Sequence, residues 1–253
     1  MGTRTHPNPL PLTEGEGATE SNCKPRHAML EASQMSRPRV TLKLATSLDG
    51  RIATAAGESR WITGPAARAE VQRMRAEHDA VMVGGGTVRA DDPELLARTE
   101  PPPAAQPARV VLSKAFDIPV GGRLFQSLDR APVIVLGGEV GPNATALLRA
   151  GAKVGMVASE GPGVDLLPAL ELLEREWRIG SILCEGGGQL AASLIAAGAV
   201  DRLEWFRAPI MLGGEGRPAV AALALSRLSD APKWRRVAIR ELGPDIWESY
   251  ERA

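Results

Sequence analysis

Short, almost wholly apolar runs recur along this chain, spaced so that a helix or a long loop fits between neighbours. They are Ala80–Val83, Arg109–Leu112, Val133–Leu136, Val154–Val157 and Ile182–Cys184. Such runs are too short for buried helices and show little polar alternation, which is the pattern of strands covered on both faces. A surface loop, Pro101–Pro107, and helices after Asn143 and over Leu166–Trp177 separate them. Upstream, Val40, Leu42 and Leu44 alternate with Thr41 and Lys43 as a strand with one polar face. Thr63-Gly64-Pro65 opens a helix whose apolar face carries Val71 and Met74. Downstream, Gln189–Ala197 is a helix closed by Gly198, and Leu203–Ala208, Val237–Leu242 and Ile246–Tyr250 are strands. Gly243-Pro244-Asp245 joins the last two as a hairpin. The order specifies one α/β domain with a mostly parallel central sheet and an antiparallel finish.

The chain of 253 residues is long enough for a full core, and residues 37–253 are expected to form it. Residues 1–36 are rich in Pro, Gly, Thr, Ser and Glu without a hydrophobic period, so a disordered tail is expected there. Thirty cationic side chains balance thirty anionic ones, which argues against a general nucleic-acid or anionic-membrane binder. No apolar stretch approaches the ~20 residues of a membrane span, and no signal peptide is recognisable. Two cysteines make no disulfide framework, and no Cys/His pair has zinc spacing, so no metal is expected. Cys184 ends an apolar run and reads as a buried thiol; the three histidines are scattered. His27–Ala32 (H-A-M-L-E-A) is a faint likeness to zinc deaminases, but its glutamate is misplaced and no P-C-x-x-C follows.

Chemistry-bearing residues gather where the expected strands end. Glu185-Gly186-Gly187-Gly188 follows a strand and opens a helix, an arrangement whose backbone N–H groups and dipole suit an anion. Gly84-Gly85-Gly86-Thr87 repeats it at a second strand end. A G-x-G-x-x-G fingerprint is absent. Arg68 and Arg75 share one helix face, and Arg98 follows the turn on Asp91-Asp92-Pro93. Guanidinium groups grip phosphate through paired hydrogen bonds, so these arginines with Ser59 suit a sugar phosphate. Lys43, on a strand, and Glu185, at a strand mouth, are the candidate proton handlers.

Joined together, T-L-K-L-A-T-S-L-D-G-R-I-A (from Thr41), G-E-S-R-W-I-T-G-P (from Gly57), V-G-G-G-T-V-R-A-D-D-P (from Val83) and E-G-G-G (from Glu185) resemble the reductase domain of bacterial riboflavin biosynthesis. The likeness runs from about Arg37 to the C-terminus. It implies a dihydrofolate-reductase-like, three-layer fold and NADPH-dependent reduction of 5-amino-6-(5-phosphoribosylamino)uracil. The ribosyl group opens to an imine, hydride reaches C1′, and the ribityl chain results. By the same resemblance Lys43 and Glu185 assist the reduction. Ala45, Trp61, Thr87, Asp91 and the turn and helix start Gly187, Gly188, Gln189, Leu190, Ala191, Ala192 and Ser193 match cofactor contacts. Ser59, Arg75, Leu95, Arg98 and Glu185 match substrate contacts. After the strand Arg109–Leu112 the family commonly has Asp-Ser where this chain has Ser113-Lys114, so Lys114 is an expected contact to the 2′-phosphate on charge alone.

Three further readings stay open: reduction of the 2,5-diamino pyrimidinone phosphate before deamination, a related dihydrofolate-type reductase, and a non-catalytic nucleotide-sensing module. The resemblance also implies a cytoplasmic homodimer. Trp205, Phe206 and Trp234 on the late strands add a weaker argument for a dimer, because large aromatics favour interfaces; the alternative is that they pack within their own subunit.

Overall fold

The computed structural model describes residues 37–138, 141–159 and 161–253. The expected disordered tail, with His6, Cys23 and His27, lies outside them. The elements in chain order are β1 Arg39–Thr46, β2 Arg51–Ala53, α1 Pro65–Glu77, β3 Ala80–Gly84, α2 Gly85–Asp91 and β4 Ala108–Leu112. They continue with α3 Arg123–Gln126, β5 Val133–Gly137, α4 Pro142–Arg149, β6 Lys153–Met156, α5 Leu166–Trp177 and β7 Ser181–Cys184. The chain finishes with α6 Gly188–Ala196, β8 Arg202–Arg207, β9 Arg217–Pro218, β10 Trp234–Leu242 and β11 Asp245–Arg252.

Nine strands form one sheet in the order β10-β11-β8-β1-β7-β3-β4-β5-β6, and β2 pairs with β9 in a separate ribbon. From β8 to β6 every pairing is parallel, while β11 joins β8 and β10 joins β11 antiparallel. This is the expected sheet, including its antiparallel finish. Helices cover both faces, giving three layers. On one face Leu42, Met82, Val110, Ile134 and Ile182 pack with Leu170 and Leu173 of α5 and Leu194 of α6. On the other, Val81, Val111 and Val135 pack with Val88, Leu124 and Leu147 of α2, α3 and α4, and Leu183 and Phe206 pack with Val71 and Met74 of α1.

The chain runs outward from β1 through β3, β4, β5 and β6, then returns to insert β7 between β1 and β3. Strand order therefore reverses around β1 and β7, and in open α/β sheets ligands bind at the carboxyl ends of the strands at such a reversal. Segments more than a hundred residues apart become neighbours there.

Local signals explain most boundaries. Pro65 starts α1, and Gly198 takes φ +64° just past α6, a left-handed conformation that costs glycine little. α2 was not foreseen, because three glycines read as a strand stop and glycine is a poor helix former. Its first residues are glycines whose place is set by tertiary contact: a Cβ on Gly85 would meet Ser113 at 3.1 Å. The buried Arg109, expected inside a strand, has a specific task. Its guanidinium donates to the carbonyls of Leu124, Ser127 and Ala131 and to the Ser127 hydroxyl, binding the segment after α3 to the sheet.

Candidate active site

β1, β7, β3 and β4 lie side by side and end at one edge of the sheet, so Lys43, Glu185, the Gly84–Thr87 turn and Ser113-Lys114 share that edge. The register Thr41↔Leu183 sets Lys43 beside Glu185, on the face covered by α1. From α1, Arg75 reaches Glu185 through two hydrogen bonds, Nε to Oε1 at 2.6 Å and Nη2 to Oε2 at 2.9 Å. Its Nη1 donates to the Leu96 carbonyl at 3.0 Å, tying in the loop that follows α2. Both side chains of the pair are largely withdrawn from solvent.

Charge balance in this cluster is uneven. Burial pushes the Lys43 amine below its usual range; Glu185 opposes that shift and Arg75 adds to it. Burial would raise the Glu185 carboxyl, but the charge and hydrogen bonds of Arg75, with the charges of Lys43 and Arg98, hold it below the usual range. The site thus keeps an ionised carboxylate next to an amine that gives up its proton more easily than a free lysine. Cys184 beside it is an inert thiol, pushed up to about 12 chiefly by burial.

The two glycine turns face each other. A Cβ on Gly187 would lie 3.7 Å from the Thr87 hydroxyl, while one on Gly84 would meet nothing within 4 Å. Gly187 is the N-cap of α6 and Gly84 that of α2, and neither start carries a side-chain cap. Uncapped N–H groups at a helix start carry partial positive charge, which suits the oxygens of an anion. Gly188 answers a different need: its Cβ would lie 2.5 Å from the Pro218 carbonyl, because the chain at Pro218–Ala221 crosses the start of α6. Ala221 N–H donates to the Gly188 carbonyl at 2.9 Å.

Not every expected residue reaches the cluster. Gln189 and Ser193 are exposed on α6 and Leu190 is half-buried, but Ala191 is wholly enclosed in the core. The amphipathic turn of the helix points the side chain of Ala191 inward, and Ala192 is nearly as enclosed. Leu95 also sinks its side chain into the core. Trp61 is 71% exposed, with the Arg68 guanidinium 4.4 Å from its ring centre, and Ser59 lies on the same exposed loop. Asp91 is exposed at the end of α2, and Lys114 donates to the Gly161 carbonyl. Arg98 is exposed, and its guanidinium lies 3.4 Å from Glu94. Phe206 is completely buried and stacks on Trp247, so its place is in its own subunit's core. Trp205 donates its indole N–H to Thr46, and Trp234 packs against the main core.

Asp49 holds a loop of the site that the sequence reading does not single out. Asp49 accepts the N–H groups of Leu212 and Gly213 at 3.1 and 2.8 Å and the Ser47 hydroxyl at 2.6 Å. It hooks the segment 210–214 onto the end of β1. The glycines of G-G-E-G (Gly213–Gly216) were the available signal in the sequence.

Residues 38–247 match the family model for the RibD C-terminal domain. A riboflavin biosynthesis protein RibD of Mycobacterium tuberculosis is 36% identical over 239 residues, covering 94% of this chain and 61% of that protein. Among solved structures, Acinetobacter baumannii RibD superposes with a TM-score of 0.76 at 29% identity, over 90% of this chain and 61% of that one. A deaminase/5-amino-6-(5-phosphoribosylamino)uracil reductase of Thermotoga maritima superposes with a TM-score of 0.68 at 28% identity, over 86% of this chain and 57% of that one. This chain therefore spans about three fifths of the length of these relatives.

Proposed function

The chain belongs to the RibD C-terminal domain family, and from that premise we propose that it reduces 5-amino-6-(5-phosphoribosylamino)uracil to the ribitylamino product with NADPH, in the cytoplasm and as a homodimer. The observation that carries this reading is the Lys43–Glu185–Arg75 cluster at the reversal of strand order, beside two uncapped glycine turns. One cleft so built offers a phosphate cradle next to a charged acid–base pair.

NADPH would lie along Gly187, Gly188, Gln189 and Thr87, with Ala45, Trp61, Asp91 and Lys114 around it, and when bound it supplies the hydride. The protein contributes orientation and charge. Arg98, exposed and cationic, would exchange its 3.4 Å pairing with Glu94 for the sugar phosphate. Arg75 has three of its N–H groups engaged, so its first task is to hold Glu185 ionised and in place. Glu185 accepts hydrogen bonds from the opened ribosyl chain. Lys43, with its lowered affinity for a proton, is suited to pass one to the nitrogen that the reduction leaves.

NADPH oxidation followed at 340 nm tests the proposal, with the aminouracil phosphate and the diamino pyrimidinone phosphate as parallel substrates. Turnover on the first supports it. Turnover confined to the second replaces it with the reduction-first order, and tight binding without oxidation of NADPH on either replaces it with a sensing module.

A further inference from the structure

Lys43 has a glutamate on each side of it in the sheet. Glu185 lies just past the end of β7, and Glu204 is its direct register partner on β8. The charges acting on it are Glu185, just past β7, and Arg75 from α1; strand register adds Glu204, bonded to Arg202, on β8, and His78, just past α1, is engaged with Met74 and Thr41. Glu204 is 3% exposed and fully occupied elsewhere. Its Oε2 accepts the Trp247 indole N–H at 2.6 Å and the Ser249 hydroxyl at 2.5 Å, and its Oε1 accepts Arg202 Nε.

The partners of Glu204 lead back to the lysine. Trp247 stacks on Phe206 with ring centres 5.4 Å apart and planes 11° from parallel. The Lys43 amine lies 6.0 Å from the centre of the Phe206 ring, at the outer limit of a cation–π contact. A buried carboxylate is a costly way to fill a sheet layer, since an apolar residue of similar volume does so without desolvating a charge. A carboxylate in this place does two things that an apolar residue would not: it fixes the aromatic pair through Trp247, and it occupies the position beside Lys43 while bonded away from it.

We propose that Glu204 is a positioning residue for Lys43: tied to Trp247, Ser249 and Arg202, it locks the Phe206–Trp247 stack beneath the lysine and leaves Glu185 as the lysine's acidic partner. Removing the two donors to Oε2 frees a buried carboxylate oxygen next to an ammonium group. The lysine then turns to Glu204, its proton is held more tightly, and its alignment with Glu185 is lost.

The test is NMR titration of Lys43 in the full chain carrying isotope-labelled lysine, where five lysines make the spectrum tractable and Lys43→Arg assigns the signal. In Trp247→Phe/Ser249→Ala the midpoint is expected to rise by about one pH unit, the size of effect an adjacent opposite charge produces. Ser249→Ala alone, which deletes one hydroxyl, should move it the same way by less. Adding Glu204→Gln to the double variant removes the competing charge and should return the midpoint toward wild type, which a purely structural role would not do. An unchanged midpoint in variants that still melt cooperatively overturns the proposal, as does a rise that Glu204→Gln fails to reverse. The kinetic consequence rests on Lys43 acting on the bound pyrimidine: kcat should fall about tenfold or more with KM for NADPH unchanged, a loss of alignment rather than of binding. The titration needs no substrate. A wild-type enzyme inert on both pyrimidine phosphates would therefore overturn the proposed function without touching this assignment.

Discussion

Arg75 and Glu185, 110 residues apart in the chain, meet as a two-point ion pair of 2.6 and 2.9 Å between α1 and the end of β7. The pair fastens the helix layer to the sheet at the point where strand order reverses. It also separates the two arginines that the sequence groups together: Arg75 is built into the protein, and Arg98 is offered to solvent.

Their alanine variants should therefore differ. Arg98→Ala is expected to weaken substrate binding tenfold to a hundredfold, from the ~1.5–3 kcal/mol of one charge-assisted contact, with NADPH binding and melting temperature unchanged. Arg75→Ala takes two hydrogen bonds and the strongest opposing charge from a buried carboxylate and should lose about 3–5 kcal/mol of stability. The sign with pH follows from Glu185. Its carboxyl is held below the ordinary value in the folded state, so the stability it gives is complete above that ordinary value and lost as pH falls through the lowered one. Arg75→Ala should move this acid limb of the stability curve to higher pH. Equal loss of NADPH affinity in both variants, measured by titration calorimetry, would show that the two anions are assigned the wrong way round.

Asp49 governs a different part of the cleft. Its carboxyl is lowered to about 2, first by the Ser47 hydroxyl and then by the backbone N–H groups it receives, chiefly that of Leu212. Its hold on segment 210–214 should thus persist at all pH values above the usual carboxylate range and fail only as pH falls toward 2. Asp49→Ala is expected to speed hydrogen exchange at Leu212 and Gly213 and to raise KM for NADPH, because the same segment continues to the Pro218–Ala221 crossing over α6. Unchanged exchange at those two amides would contradict the hook.

Asp245 supplies what the start of α1 lacks. The N-cap of that helix is Gly64, which has no side chain to accept a hydrogen bond, and the buried Asp245 carboxylate accepts the Gly64 N–H at 2.6 Å from 181 residues away. Asp245→Ala should cost about 0.5–2 kcal/mol, the usual worth of a cap. Because α1 carries Arg75, it should also lower kcat/KM for the pyrimidine more than affinity for NADPH. A variant with wild-type stability by urea denaturation would refute the capping role.

Much of this was legible in the sequence because it depended on local signals. Most of the parallel strands announce themselves as short apolar runs, and the residues read as a helix, Leu166–Trp177, are the ones that form α5. Lys43, Glu185 and the glycine turns stood out as polar or flexible residues at strand ends. What could not be read depended on tertiary contact. Asp245 capping Gly64, Asp49 hooking Leu212 and Glu204 binding Trp247 join residues whose local sequence says nothing of their partners. The motif also gives only the order of residues in Gly187–Ser193, while the helical turn sets which side chains are buried, Ala191 and Ala192, and which are exposed, Gln189 and Ser193.

For the proposed homodimer the structure offers an open strand edge rather than Phe206, which is spent in its own core. β10 ends the sheet, and its side chains Arg235, Arg236, Ile239 and Arg240 are exposed. An edge strand left unpaired invites association with another strand, and charged side chains are the common defence against the wrong partner. Here Arg235, Arg236 and Arg240 surround Ile239, which is 55% exposed, so the proposed second copy would bury an apolar centre at this edge. Sedimentation at micromolar concentration should give a species of twice the 26.8 kDa chain. Ile239→Lys should shift it toward the monomer without changing the melting of the isolated subunit. A single wild-type species at the monomer mass would rule the dimer out.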